Sequence, residues 1–121
     1  MSKTILIVDD FRVSNEALGS LLMSEGYSII AARSVDSALE VFDGRQIDLV
    51  ITDFNMPKRN GIELVKEIRQ MEKYNSIPIL VLSSVRDEDK KKNAYDAKIT
   101  GWIQKPLQMN KLLNAIKRAI S

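Results

Sequence analysis

The sequence predicts an α/β protein built on one doubly wound parallel sheet, and three observations predict it. Five short apolar runs alternate along the chain with five segments of helical period. Three of the runs, Ile5-Leu6-Ile7-Val8, Leu49-Val50-Ile51 and Ile79-Leu80-Val81-Leu82, lack polar alternation, which suits strands buried on both faces. Four runs end on residues that carry chemistry: Asp9-Asp10, Asp53, Ser83-Ser84 and Lys105-Pro106. In an open parallel sheet, residues just past the carboxyl ends of the strands gather in one crevice.

The predicted strands are Thr4–Val8, Ser28–Ala32, Asp48–Thr52, Ile79–Leu82 and Gly101–Gln104. Between them the apolar period lengthens to that of helices. Val13, Ala17, Leu18, Leu21 and Leu22 define the first helix stripe, with Gly26 as its stop and Gly19 a weakening element inside it. Ser34 is the N-cap candidate for a second stripe of Val35, Ala38, Leu39 and Phe42, stopped by Gly44. Asn60 with Glu63 resembles a capping box ahead of Leu64, Val65, Ile68 and Met71. Met109, Leu112, Leu113, Ile116 and Ile120 form the last stripe. The segment Asp87–Ala97 opens on acids, which suit a helix N-terminus, but offers only Ala94, Tyr95 and Ala97 for burial. It is expected to be loosely held, which makes it a candidate moving part.

Composition narrows the function. A chain of 121 residues, 45% apolar, is enough for one domain with one core. It has no cysteine, which removes disulfides, thiolate nucleophiles and zinc–thiolate sites. It has no histidine, which removes Ser-His-Asp and Cys-His enzymes, imidazole metal ligands and a phosphohistidine carrier. The net charge is +2, and the run Lys90-Lys91-Lys92 is balanced by Asp87-Glu88-Asp89, so no nucleic-acid partner is expected. No apolar stretch reaches the roughly 18 residues of a membrane span. Met-Ser-Lys-Thr leaves no room for a signal peptide before the first strand, so the expected location is cytoplasmic.

The strand-end residues suit a divalent cation and a phosphoryl group. Asp9, Asp10 and Asp53 would repel one another if their strands are neighbours, unless a cation intervenes. Mg²⁺ is the natural choice, because it takes oxygen ligands and shares phosphate oxygens. Any one of these acids alone reads as a cap or turn residue; three converging acids do not. Asp53 is central and is the expected nucleophile, since a carboxylate oxygen can form an aspartyl-phosphate. Ser83 can donate a hydroxyl hydrogen bond, and Lys105 brings a point charge to a phosphoryl oxygen.

These motifs together resemble those of response-regulator receiver domains. The resemblance rests on Ile-Leu-Ile-Val-Asp-Asp at 5–10, Asp-Phe-Asn-Met-Pro at 53–57, Gly61, Pro-Ile-Leu-Val-Leu-Ser-Ser at 78–84 and Gly-Trp-Ile-Gln-Lys-Pro at 101–106. It implies a flavodoxin-like sheet of order 2-1-3-4-5 flanked by five helices, with residues 1–121 a single receiver domain and no output domain. It implies that Asp53 accepts a phosphoryl group from a kinase phosphohistidine. It implies that Asp10, Asp53 and the Asn55 main-chain carbonyl bind Mg²⁺, with Asp9 acting through water. Ser83 and Lys105 would contact the phosphoryl oxygens, and the Lys105–Pro106 peptide would be cis. Trp102 stands where the family carries a switch aromatic, usually Tyr or Phe. Ser83 stands where Thr is usual, Ser84 where Ala is usual, and Lys98-Ile99 where Gly-Ala is common, so the turn there is expected to differ.

The function expected from this resemblance is a phosphorylation-activated switch similar to the stand-alone chemotaxis regulators of the family. Its output surface would include Tyr95, Trp102, Gln104 and Lys111. The expected partners are a sensor histidine kinase and a downstream protein effector, with a phosphatase and a phosphorylation-induced dimer left open for an otherwise monomeric chain. The alternative is a phosphorelay intermediate or phosphate sink that passes the group to another histidine domain. A phosphohydrolase would need a second Asp two residues after the nucleophile, and that position is Asn55. Only slow self-catalysed phosphorylation and dephosphorylation are therefore expected.

Overall fold

The computed structural model describes residues 2–120. Met1 and Ser121, the ends of the expected lead-in and tail, lie outside the described residues. The strands are β1 (Thr4–Val8), β2 (Ser28–Ala32), β3 (Leu49–Asp53), β4 (Ile79–Ser83) and β5 (Gly101–Gln104). They form one parallel sheet in the order β2-β1-β3-β4-β5. The helices are α1 (Arg12–Ser24), α2 (Val35–Leu39), α3 (Gly61–Arg69), α4 (Glu88–Asp96) and α5 (Met109–Ile120), with a 3₁₀ turn at Glu72–Tyr74.

Side chains alternate across each strand, so each face of the sheet makes its own core. Ile5, Ile7, Leu49, Ile51, Leu80 and Leu82 pack under α1 and α5 through Leu18, Leu22, Leu112 and Ile116. Leu6, Val8, Val50, Ile79 and Val81 pack on the opposite face under α2, α3 and α4. Both faces are covered, which explains why β1, β3 and β4 read as unbroken apolar runs. Each fully buried Leu or Ile contributes about 1.5–3 kcal/mol.

Two helices depart from expectation. The inward face of α1 is Asn15, Leu18, Gly19 and Leu22. Val13 is 77% exposed, Ala17 is exposed and Leu21 is half-buried. Asn15 is tolerated inside because its Nδ2 group donates to the Asp9 and Ala32 carbonyls, and Gly19 lets the helix lie close to the sheet beside Ile29 and Ile7. Helix α2 stops at Leu39 rather than continuing to Phe42. The N–H groups of Val41 and Phe42 turn to carbonyls three residues back, which tightens the chain out of the α-helix. Phe42 still reaches the core, edge-on to Tyr74.

Other expectations hold with small shifts. Asn60 and Glu63 form a reciprocal capping box, with both hydrogen bonds 3.1 Å long. Met71 falls beyond α3, although it still packs against the core. Met109 at the start of α5 is 38% exposed. Strand β3 is shifted by one residue, with Asp48 outside it and Asp53 at its end, and β4 runs one residue further than expected, so Asp53 and Ser83 are strand-end residues. Helix α4 buries only Ala94, as its composition predicts. The turn after it carries Lys98 at φ 74, a left-handed conformation that favours glycine.

Candidate functional site

The strand order sets the site. The chain crosses from β1 to β2 on one side, then returns past β1 to β3 on the other. The carboxyl ends of β1 and β3 therefore flank the point where the winding reverses, the place where such sheets bind ligands. Val8 pairs with Thr52, so the next residues, Asp9 and Asp53, leave their strands side by side.

Carboxylate oxygens of Asp9, Asp10 and Asp53 lie within 4.8 Å of one another. Asp9 and Asp53 are buried, and Asp10 is half-buried. Lys105 Nζ sits 2.9 Å from Asp53 Oδ1. Together with Pro106, Asp9, Asp53 and Lys105 line a small cavity of about 240 Å³. Burial pushes the Asp53 carboxyl up to about 6; the Lys105 ammonium opposes that shift and the Asp9 charge adds to it. Three crowded oxygen donors, one of them with its charge disfavoured, fit a hard divalent cation.

The backbone under Asp53 is held by a close approach. The Gly61 N–H donates to the Phe54 carbonyl at 2.8 Å, and a Cβ on Gly61 would lie 2.4 Å from the Asp53 carbonyl oxygen. Only glycine fits there. The Lys105–Pro106 peptide bond is cis.

The remaining expected residues lie around this centre. The Ser83 hydroxyl, buried, accepts from the Val85 N–H at 2.9 Å, so it is engaged with the β4–α4 loop rather than with Asp53. Asn55 is exposed, two residues beyond Asp53. Trp102 is half-buried and stacks at a tilt on Phe54, with ring centroids 5.5 Å apart. The Trp102 main-chain N–H donates to the hydroxyl of Tyr95, itself 45% exposed. Trp102, Gln104, Lys105 and Lys111 border a groove of about 600 Å³ between β5 and α5.

Three residues near the site escaped the sequence reading. Phe54, next to Asp53, is buried and lies under the Lys90 ammonium as well as Trp102. Arg59 pairs with Asp36 of α2 and with Glu63 and Glu67 of α3, tying the β3–α3 loop to both helices. Asn15 bonds the Asp9 carbonyl. A polar residue at i in the i, i+3, i+4, i+7 pattern of α1 was the available signal for Asn15.

Comparison with known proteins agrees with this geometry. Residues 5–117 match the family described as Response regulator receiver domain. The chain belongs to that family. As a receiver domain of a two-component response regulator it is a signalling switch, not an enzyme of the ordinary kind. It is 34% identical over 116 residues to response regulator RR06 of Streptococcus pneumoniae, covering 96% of this chain and 52% of that protein. It thus spans about half the length of that relative. It is 30% identical over 115 residues to chemotaxis protein CheY of Pseudomonas aeruginosa, covering 94% of this chain and 93% of that protein. The receiver fold superposes on the chemotaxis response regulator CheY4 of Vibrio cholerae with a TM-score of 0.91 at 30% identity, covering 98% and 99% of the two chains.

Proposed function

We propose that Asp53 is the phosphoacceptor of this receiver domain and that phosphorylation switches its binding to a protein partner. The observation that carries the reading is the Lys105–Asp53 pair at 2.9 Å within the cluster of Asp9, Asp10 and Asp53. A carboxylate oxygen of Asp53 attacks the phosphorus of a phosphohistidine on a histidine kinase. The phosphorus–nitrogen bond breaks, its electron pair returns to the imidazole, and an acyl phosphate remains on Asp53.

Each neighbour has a task in that step. The Lys105 ammonium favours the ionised, nucleophilic form of Asp53 against burial and afterwards faces the phosphoryl oxygens. Asp10, Asp53 and the Asn55 carbonyl would hold Mg²⁺, with Asp9 acting through water. When bound, the ion offsets the charge shared by acids and phosphate. Ser83 gives up its bond to Val85 and donates to a phosphoryl oxygen, which pulls on the loop entering α4. The readout surface is then α4, β5 and α5, with Tyr95, Trp102, Gln104 and Lys111.

The partner is a protein of the chemotaxis type, a reading supported by the Gly-Trp-Ile-Gln-Lys-Pro motif at 101–106 and by the likeness to chemotaxis regulators. The test is incubation with Mg²⁺ and a small acyl phosphate, followed by intact-mass measurement and transfer to histidine-containing domains. Addition of one phosphoryl group that disappears in Asp53→Asn supports the site. An unmodified wild type, or a modified Asp53→Asn, overturns it. Efficient onward transfer to a second histidine domain would instead make the chain a relay intermediate.

A further inference from the structure

We propose that Asn15 is a positioning residue for the acidic pocket, fixing the backbone that carries Asp9 and Asp10 in the arrangement a divalent cation needs. This rests on the reading of that pocket as a cation site.

Asp9 and Asp10 lie in the short connection between β1 and α1. Their charges repel each other and Asp53, so the connection needs a restraint to keep three carboxylate oxygens within 4.8 Å. Asn15 supplies it. Its Nδ2 group donates to the Asp9 carbonyl at 3.0 Å and to the Ala32 carbonyl, at the end of β2, at 2.9 Å. Its own main-chain N–H donates to the Phe11 carbonyl at 3.0 Å. The Phe11 N–H in turn donates to Asp9 Oδ1 at 2.9 Å. The three residues therefore close a ring of hydrogen bonds around Asp9, anchored to β2.

The ring leaves a cost that pure stability would not retain. Asn15 is only 4% exposed, and its Oδ1 has no hydrogen-bond partner among the described residues. The other inward residues of α1 are Leu18, Gly19 and Leu22, so an apolar side chain would suit the packing there. An orphaned buried acceptor is destabilising. What the amide contributes, and no apolar group could, is two diverging donors on one nitrogen, one to the Asp9 carbonyl just past β1 and one to the Ala32 carbonyl at the end of β2.

The test is Mg²⁺ titration by calorimetry, with thermal melts in the presence and absence of Mg²⁺, on the wild type and on Asn15→Leu, Asn15→Asp and Asn15→Ser. Leucine keeps the volume without donors, aspartate keeps the shape with acceptors alone, and serine is too short to span both carbonyls. Leu22→Ala, on the same helix face but away from the cavity, is the comparator for destabilisation alone. The expected result is a loss of Mg²⁺ affinity of about tenfold or more in each folded Asn15 variant, with a smaller Mg²⁺-induced rise in melting temperature. Leu22→Ala should melt earlier yet bind Mg²⁺ like the wild type. Unchanged affinity in any folded Asn15 variant, or an equal loss in Leu22→Ala, overturns the proposal. A wild type that binds no Mg²⁺ overturns the cation reading itself, which separates the two failures.

Discussion

The indole of Trp102 rests against the ring of Phe54 at 5.5 Å between centroids, and Phe54 is the residue that follows Asp53. The half-buried aromatic on β5 is thus one residue removed from the proposed phosphoacceptor on β3. Trp102 is the only tryptophan, so fluorescence has a single source. Mg²⁺ and then a beryllofluoride phosphoryl mimic should each give a saturable change in the wild type. Asp53→Asn should abolish the beryllofluoride response. Phe54→Leu keeps most of the buried volume, should cost about 1 kcal/mol, and should diminish both responses while leaving Mg²⁺ affinity in place. A Phe54→Leu protein with the full wild-type signal would show that Trp102 senses the pocket by another route.

The charge of Asp53 should make the metal-free protein less stable as pH rises. The carboxyl titrates from a reference of 3.8 in the unfolded chain and at about 6 in the fold. Between those values the folded state holds the extra proton, so stability is greatest below about pH 4 for this group and declines as pH rises to about 6. Above that the full penalty applies. In chelator at neutral pH, Asp53→Asn should unfold later than the wild type by on the order of 2 kcal/mol. The difference should vanish near pH 4 and shrink when Mg²⁺ is added. Denaturant melts across that pH range measure it, and a wild type more stable than Asp53→Asn at neutral pH in chelator would contradict it.

Gly61 should be intolerant of even one methyl group. Its backbone runs under the Asp53 peptide, and an added Cβ would meet the Asp53 carbonyl oxygen at 2.4 Å and its carbonyl carbon at 3.3 Å. Neither atom is the end of a flexible side chain, so the strand end must move. Gly61→Ala should cost about 1–3 kcal/mol and weaken beryllofluoride binding, because the displaced atoms belong to the acceptor residue. Urea melts and a Trp102 titration read both effects. Unaltered beryllofluoride affinity would confine Gly61 to a packing role.

What could be read from the sequence divides along a physical line. The strands were legible because their cores are two-sided: Ile5 through Val8 leave no polar interruption to misread. The gathering of Asp9, Asp10, Asp53 and Lys105 was legible because parallel strands deliver their ends to one edge, while the neighbouring of β1 and β3 that brings the acids together came from the family resemblance. The inward face of α1 was not, because an apolar count favours Val13 over Asn15, and only the Asp9 and Ala32 carbonyls reverse that preference. The end of α2 was not, because Phe42 reaches the core from a turn as well as from a helix. Arg59 was missed because its three acids, Asp36, Glu63 and Glu67, come from two helices. The engagement of Ser83 with Val85 depends on a loop conformation that residue type does not encode.

Lys98 should be replaceable by glycine with a gain in stability. The sequence marks it as a departure, and its φ of 74 shows what the departure costs. A left-handed residue with a Cβ is disfavoured by roughly 1–2 kcal/mol, partly offset by the larger backbone entropy that glycine loses on folding. What holds the turn is its carbonyl, which accepts from Arg69 Nε at 3.1 Å and Nη2 at 2.8 Å. A glycine keeps that carbonyl and relieves the Cβ. Lys98→Gly should therefore raise stability by about 0.5–1 kcal/mol, a few degrees in melting temperature. Arg69→Ala should lower stability and make the turn between α4 and β5 exchange its amide hydrogens faster. Because the turn lies outside the pocket, neither change should alter Mg²⁺ affinity. A Lys98→Gly protein that melts below the wild type would mean that the lysine side chain makes up for its own strain.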